Sequence, residues 1–387
     1  MSVTAAPGFV GAGIACGIKA SGDPDLALVT TDDGRPVVAA AVFTANKSTA
    51  APVVVSRAHL AATGGRAAGV ILNSGNANAA TGAAGKEAAE RMCAAAAAAL
   101  GCAPAELLVC STGLIGIPLA VEKIESAADA LVAARSVSNG ADAARAILTT
   151  DTHAKEVVVH RDGLTVGGMA KGAAMLAPNM ATMLAVLTTD AQVEPDRLTT
   201  LLQQAVAQSF NTLSVDGCTS TNDTVIVLAN GRAGVVDEAE LQMALTAACA
   251  GLAEQMAGDA EGATKVVRVH VIGATSDDEA AAGARKVAES QLCKCSWYGQ
   301  DPYWGRILSE LGSAGIDFDP DVVSVSYGGV TVADGGIAIV HDDAAVTAHM
   351  AGRHLDVVAD LKLGTGTASI LTNDLTHAYV DENMGTS

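Results

Sequence analysis

An α/β fold is predicted by three features of the chain. Short β-branched runs recur along it, long helical stretches alternate with them, and the interior must be filled by small aliphatic side chains. Half of the 387 residues are hydrophobic, enough to bury a large core, yet aromatics make up only 3%. Alanine, valine and glycine therefore have to pack at close backbone separations.

Taken in order, the valine triplet at residues 53–55 reads as a strand, and the alanine-rich residues 85–100 as a helix. A second valine triplet at 157–159 reads as a strand. Residues 195–209 read as a helix with Pro195 in its first turn, where proline is tolerated. Strands are expected at 225–228, 266–272 and 322–325, with helices at 238–259 and 277–290. Two segments break this pattern: residues 168–190, Gly-Met-Ala-Lys-Gly-Ala-Ala-Met-Leu-Ala-Pro-Asn-Met-Ala-Thr-Met-Leu-Ala-Val-Leu-Thr-Thr-Asp, and residues 73–79, Asn-Ser-Gly-Asn-Ala-Asn-Ala.

Charge and cysteine usage narrow the function classes. With 42 acidic against 23 basic residues the formal net charge is -19, which repels nucleic-acid phosphates and anionic membranes and is compatible with a small cationic substrate. The first residues have neither a basic region nor an apolar run, and no segment offers about 18 uninterrupted apolar residues. The eight cysteines form no zinc or disulfide framework; Cys16, Cys93, Cys102, Cys110, Cys218 and Cys249 read as core fillers. A cytoplasmic location is expected. Gly11, Gly13 and Gly17 are spaced unlike a dinucleotide loop, and the eight histidines form no metal pattern.

The segment before Thr182 carries the most chemistry. A Pro178-Asn179 turn leads into an Ala181-Thr182 bond followed by an apolar, β-capable run, which places the threonine at a loop-to-strand junction. If the Ala181 carbonyl is held polarised, the Thr182 hydroxyl can attack it, converting the amide to an ester that water hydrolyses. The freed threonine then carries its own base, because an α-amine titrates near about 7.7–8.0.

This segment closely resembles the processing segment of the ornithine acetyltransferase, or bifunctional glutamate N-acetyltransferase, family. The residues that carry the resemblance are Lys171-Gly172, Met175, Ala177-Pro178, Asn179-Met180-Ala181-Thr182-Met183-Leu184 and Thr188-Thr189-Asp190-Ala191. It extends along the chain through residues 73–79, Ser111-Thr112-Gly113, Thr149-Thr150-Asp151-Thr152 and Ser220-Thr221-Asn222-Asp223-Thr224. It continues in Asp259-Ala260-Glu261-Gly262-Ala263-Thr264-Lys265 and Asp301-Pro302-Tyr303-Trp304-Gly305-Arg306.

The resemblance implies a layered α-β-β-α self-processing fold with a smaller C-terminal α/β domain. Cleavage between Ala181 and Thr182 would give an alpha chain, residues 1–181, and a beta chain, residues 182–387, that stay together, as in a heterotetramer of two of each. It implies Thr182 as nucleophile, Thr112 and Gly113 as the oxyanion hole, and Glu261 as a substrate-binding and proton-handling carboxylate. Thr149 and Lys171 are implied as substrate contacts, with Asn383 and a terminal hydroxyl, Ser387 or Thr386, completing the site. Two positions depart from the family: Tyr303 stands where asparagine is usual, and Cys293-Lys294-Cys295 replaces Val-Lys-Thr.

The implied reaction is ping-pong. Thr182 takes acetyl from N-acetylornithine, releases ornithine and passes the acetyl group to glutamate, in arginine biosynthesis. No cofactor or metal is required; acetyl-CoA as a second donor would make the enzyme bifunctional. Two other readings remain open: a self-processed N-terminal-nucleophile aminopeptidase, in which water takes the acyl group, and an uncut protein that binds a cationic amino acid.

Overall fold

The computed structural model describes residues 2–177 and 183–385. The chain divides into two compact units. One comprises the residues up to Asn211 with Thr219–Met256, and the other Thr212–Cys218 with Ala257–Gly385.

The larger unit holds two sheets. A four-stranded sheet runs in the order Phe9–Ile14, Leu26–Thr31, Gly69–Asn73, Leu107–Ser111, with only its last pair parallel. A six-stranded sheet runs Arg66–Ala67, Val37–Phe43, Thr224–Val235, Leu184–Gln192, Leu164–Lys171, Lys155–Arg161, with its central pair parallel. Side chains alternate across each sheet, so Leu108 and Cys110, or Leu184 and Val186, point into a core shared by the two sheets. Leu107 and Val109 face the other way, against Met92, Cys93 and Ala96 of the helix Gly82–Leu100 and Ile124 of the helix Val121–Ala133. On the far side of the six-stranded sheet lie the helices Pro195–Ala207 and Glu238–Gly258. The result is helix, sheet, sheet, helix, the layering implied by the resemblance.

The smaller unit is a six-stranded sheet in the order Ile337–Ala338, Val330–Asp334, Ser324–Tyr327, His354–Asp360, Val266–Ala274, Gly366–Asn373. Val267, Val269 and Val271 alternate into its core beside Ala280, Ala284 and Val287 of the helix Asp277–Ala288. No helix among the described residues is long and apolar enough to cross a membrane.

The valine triplet at 53–55 is a correction. It lies in the helix Ala51–Thr63, begun by a proline in its first turn and ended by Gly64 in the left-handed region at φ 64°. Pro52, Val55, Ser56 and His59 are buried at helical spacing, and that packing outweighs β-branched propensity. Gly11 and Gly13 belong to the strand Phe9–Ile14, so they form no phosphate loop. Cys218 is exposed rather than a core filler.

Candidate active site

Thr112 and Gly113 follow directly on the strand Leu107–Ser111, at its carboxyl end. Gly113 has φ 127°, and a Cβ there would lie 2.4 Å from the Gly75 carbonyl carbon and 2.5 Å from the Asn76 nitrogen. Only glycine allows this crossing of two backbones. Residues 73–79 are what it crosses, and their asparagines hold the loop from within. Asn73 Nδ2 donates to the Asn76 carbonyl (2.9 Å), and Asn76 Nδ2 to the Ile117 carbonyl (3.1 Å). Asn222 Nδ2 donates to the carbonyls of Ala77 (2.6 Å) and Ser111 (2.9 Å). Thr112 spends its N–H on the Asn73 carbonyl at 3.0 Å, whereas the Gly113 N–H makes no hydrogen bond to a described residue. A buried threonine and a free N–H in a clamped loop are the donors an oxyanion needs.

Lys171 ends the strand Leu164–Lys171 and pairs in register with Leu184, so the chain that leaves the sheet at Lys171 re-enters it opposite. Lys171 is 3% exposed, and its Nζ lies 3.7 Å from Asp151 Oδ2. The same carboxylate accepts Lys155 Nζ on Oδ1 (2.5 Å), the Gly172 N–H (2.6 Å) and, on Oδ2, the Thr149 N–H (3.1 Å). Burial pushes Asp151 up, but Lys171, Lys155 and the Gly172 N–H outweigh it and hold the carboxyl well below its ordinary range. Thr149 and Lys171 are thus brought to one buried carboxylate, and the longer of its two lysine contacts leaves the Lys171 ammonium able to turn toward an incoming carboxylate.

Two other residues of this unit meet the chain at the head of the strand Leu184–Gln192. Met183 donates its N–H to Asp223 Oδ1 at 3.0 Å and accepts the Thr224 N–H on its carbonyl at 3.2 Å. Asp223 is fully buried, and its Oδ2 has no hydrogen-bond partner among the described residues. Burial pushes its carboxyl well up. The Met183 N–H, the Ser220 hydroxyl and the charge of Lys171 pull the other way without prevailing.

In the smaller unit, Glu261 lines a cavity of about 170 Å³ with Asp216, Glu289, Lys294, Asp374 and Tyr379. Most of these groups are already committed. Asp374 accepts the N–H groups of Thr264 (3.0 Å) and Lys265 (2.9 Å). Lys294 Nζ donates to the Val215 carbonyl (2.8 Å), Thr372 Oγ1 (2.7 Å) and the Asn373 carbonyl (2.8 Å), and burial pulls its ammonium down to about 8. In the Cys293-Lys294-Cys295 segment the lysine is thus the pin, while Cys293 is buried and Cys295 exposed; nothing in the structure explains the two cysteines. Glu261 is 8% exposed, and its Oε2 accepts Asn383 Nδ2 at 2.8 Å. Asn383 Nδ2 also donates to the Tyr379 carbonyl (2.8 Å), and burial together with Asp216 pushes the Tyr379 hydroxyl up to about 12. The cavity can hold a cationic amine against Glu261.

Of the residues singled out in the sequence, Thr112 with Gly113, Thr149 with Lys171, and Glu261 with Asn383 therefore form three local groups. Ala181, Thr182 and Ser387 lie outside the described residues. Tyr303 is half exposed and stacks under the Arg306 guanidinium. Asp151, Asn222 and Asp223 lie within segments that carry the family resemblance, but they meet partners distant in sequence and no local pattern singles them out.

The sequence comparisons with known proteins run along nearly the whole chain. The sequence profile described as the ArgJ family matches residues 11–385. The arginine biosynthesis bifunctional protein ArgJ of Thermobifida fusca (strain YX) is 47% identical over 388 residues, covering 100% of each chain. That of Mycobacterium leprae (strain TN) is 47% identical over 394 residues, covering 100% of this chain and 95% of the relative. A solved structure, ornithine acetyltransferase complexed with ornithine from Mycobacterium tuberculosis, is 46% identical, covers 46% of this chain and 94% of that chain, and has a TM-score of 0.44. The fold and the matches define a biosynthetic enzyme of the mixed α/β class. The chain belongs to the ArgJ family.

Proposed function

We propose that this chain is a self-processed acetyltransferase of arginine biosynthesis, moving acetyl from N-acetylornithine to glutamate through an ester on Thr182. The observation that carries the reading is full-length identity of 47% to a bifunctional ArgJ relative. The local geometry supports it. The Gly113 N–H and Thr112 hydroxyl are offered by a loop that cannot relax, and a loosely paired buried lysine stands eleven positions before Thr182.

In the first stage the Thr182 Oγ attacks the Ala181 carbonyl carbon, the nitrogen of Thr182 leaves as an amine, and water hydrolyses the resulting ester. The products are the Ala181 carboxylate and a threonine with a free amine, that is, an alpha chain 1–181 and a beta chain 182–387. In the second, Thr182 Oγ attacks the acetyl carbonyl while its own amine takes the hydroxyl proton. Ornithine departs with that proton on its nitrogen; the glutamate amine then attacks the acetyl ester, the bond to Thr182 Oγ breaks, and the proton lost by that amine returns through the Thr182 amine to Oγ. Thr112 and Gly113 face the oxyanion, Lys171 and Thr149 the substrate carboxylate, and Glu261 with Asn383 and a terminal hydroxyl, Ser387 or Thr386, the substrate amine. Acetyl-CoA serves as a second donor in the bifunctional form, no bound cofactor takes part, and the enzyme works in the cytoplasm as an assembly of two alpha and two beta chains.

Intact mass under denaturing conditions with N-terminal sequencing, beside Thr182→Ala, tests the reading. Two fragments meeting at Ala181 and Thr182, lost together in the variant, are expected. A single uncut wild-type chain would overturn it.

A further inference from the structure

Asp223 is a buried group that the mechanism leaves unused, and it touches the residue that follows the nucleophile. Asp223 is fully buried at the head of the strand Thr224–Val235; its Oδ1 accepts the Met183 N–H, and its Oδ2 is without a partner among the described residues. The backbone on either side of the carboxyl is also held: the Asp223 carbonyl accepts the Thr44 N–H at 2.9 Å, and Thr224 donates to the Met183 carbonyl. One residue earlier, Asn222 is tied by its side chain to the carbonyl of Ser111, which immediately precedes Thr112. The pair 222–223 thus grips, from one short segment, both the loop that offers the oxyanion donors and the peptide that joins Thr182 to the sheet.

A buried carboxyl with one oxygen unsatisfied costs stability, and a strand of this kind gains nothing from it as packing. Met183 is the last described residue before the strand Leu184–Gln192, so its N–H could have been satisfied by the ladder alone had the strand been longer. Here a side chain performs that function.

We propose that Asp223 is a positioning residue for self-processing: its carboxyl oxygen anchors the N–H of Met183, the residue that follows the nucleophile in sequence, while Asn222 beside it ties the strand end that leads into Thr112 and Gly113. This rests on the self-processing reading above. Asp223 exchanges no proton in the reaction; it holds the peptide through an acceptor oxygen, and an amide of the same shape offers the same acceptor.

The test is the rate of self-cleavage in freshly synthesised full-length chain, followed by mass, for Asp223→Ala, Asp223→Asn and a destabilised control in the same strand, Val227→Ala. Loss of the anchor is expected to slow cleavage about ten-fold or more, since small misplacements of reacting groups cost rates of that order. Asparagine is expected to restore the rate to within about three-fold, and the control to cut like wild type although its melting temperature also falls. Should the alanine chain fail to fold, Asp223→Leu, which keeps the branched outline without the acceptor, is read in its place. If Asp223→Ala cuts as fast as the control, the anchor is merely structural and the proposal fails. If asparagine is as slow as alanine, the carboxyl acts as a base and the proposal fails in that form. A wild-type chain that never cuts overturns the self-processing reading itself, and is distinguished from both by the unaltered control.

Discussion

The Asp151 carboxylate takes Lys155 at 2.5 Å and leaves Lys171 at 3.7 Å. One buried acid thus serves two lysines unequally, and the one held loosely ends the strand opposite Leu184. A buried ion pair of this kind contributes little net stability, but removing one partner strands the other. Its value here is positional: the tight pair fixes the carboxylate, and the fixed carboxylate tethers the Lys171 ammonium, which the proposed function assigns to the substrate carboxylate.

That asymmetry gives a pH-dependent prediction. The Asp151 carboxyl is held below its ordinary value of 3.8, so its contribution is fully present above about pH 4 and is lost as the pH falls through and below that value. Asp151→Asn is expected to lower stability at pH 7 by about 3–5 kcal/mol and to flatten the loss of stability in acid. Urea unfolding midpoints from pH 7 down to about pH 3 measure both.

Gly113→Ala places a methyl against the backbone of Gly75 and Asn76 at a φ that disfavours a side chain. A loss of about 2–4 kcal/mol is expected, with acetyl transfer abolished in whatever folds. Thermal unfolding and a transfer assay on the same sample check it.

Asn222→Ala removes two hydrogen bonds, to the carbonyls of Ala77 and Ser111. Leaving two buried acceptors unmet costs about 1–3 kcal/mol each at most, so a folded protein with slower cleavage and a lower kcat is expected. Equal stability and equal rates would show that the 73–79 loop holds itself.

Glu261→Gln keeps the hydrogen bond to Asn383 but not the charge. Transfer is expected to fall about a hundred-fold while self-cleavage proceeds normally, because the substrate amine loses its counter-ion. Steady-state kinetics beside intact mass separate the two effects; a drop in both would place Glu261 in processing as well.

The sequence made the strands at 157–159 and 266–272 legible because valines cluster in the first, a half-buried edge strand, and alternate in the second, where Val267, Val269 and Val271 are buried and Arg268 and His270 between them only partly so. The valine triplet at 53–55 misled for a physical reason: β-branched residues report burial, and a proline in the first turn with Gly64 behind it sets the helix instead. In the site, Thr149 drew notice as a hydroxyl within Thr-Thr-Asp-Thr, but the hub is Asp151, two residues on. No local pattern marks such an acid, because its partners at 155, 171 and 172 meet only through the register of two strands. Asn76 and Asn222 were hidden likewise, as their acceptors lie 41 and 111 positions away in sequence.

The order of the six-stranded sheet carries a consequence in time. Its two central strands, Leu184–Gln192 and Thr224–Val235, come after Thr182, and the strands on either flank all come before it. The surroundings of Met183 therefore exist only once segments from both ends of this span have been woven together. Under the proposed self-processing, a chain that waits for that assembly gains its amine last, misfolded copies stay chemically silent, and the cut becomes a certificate of correct folding rather than a step toward separation.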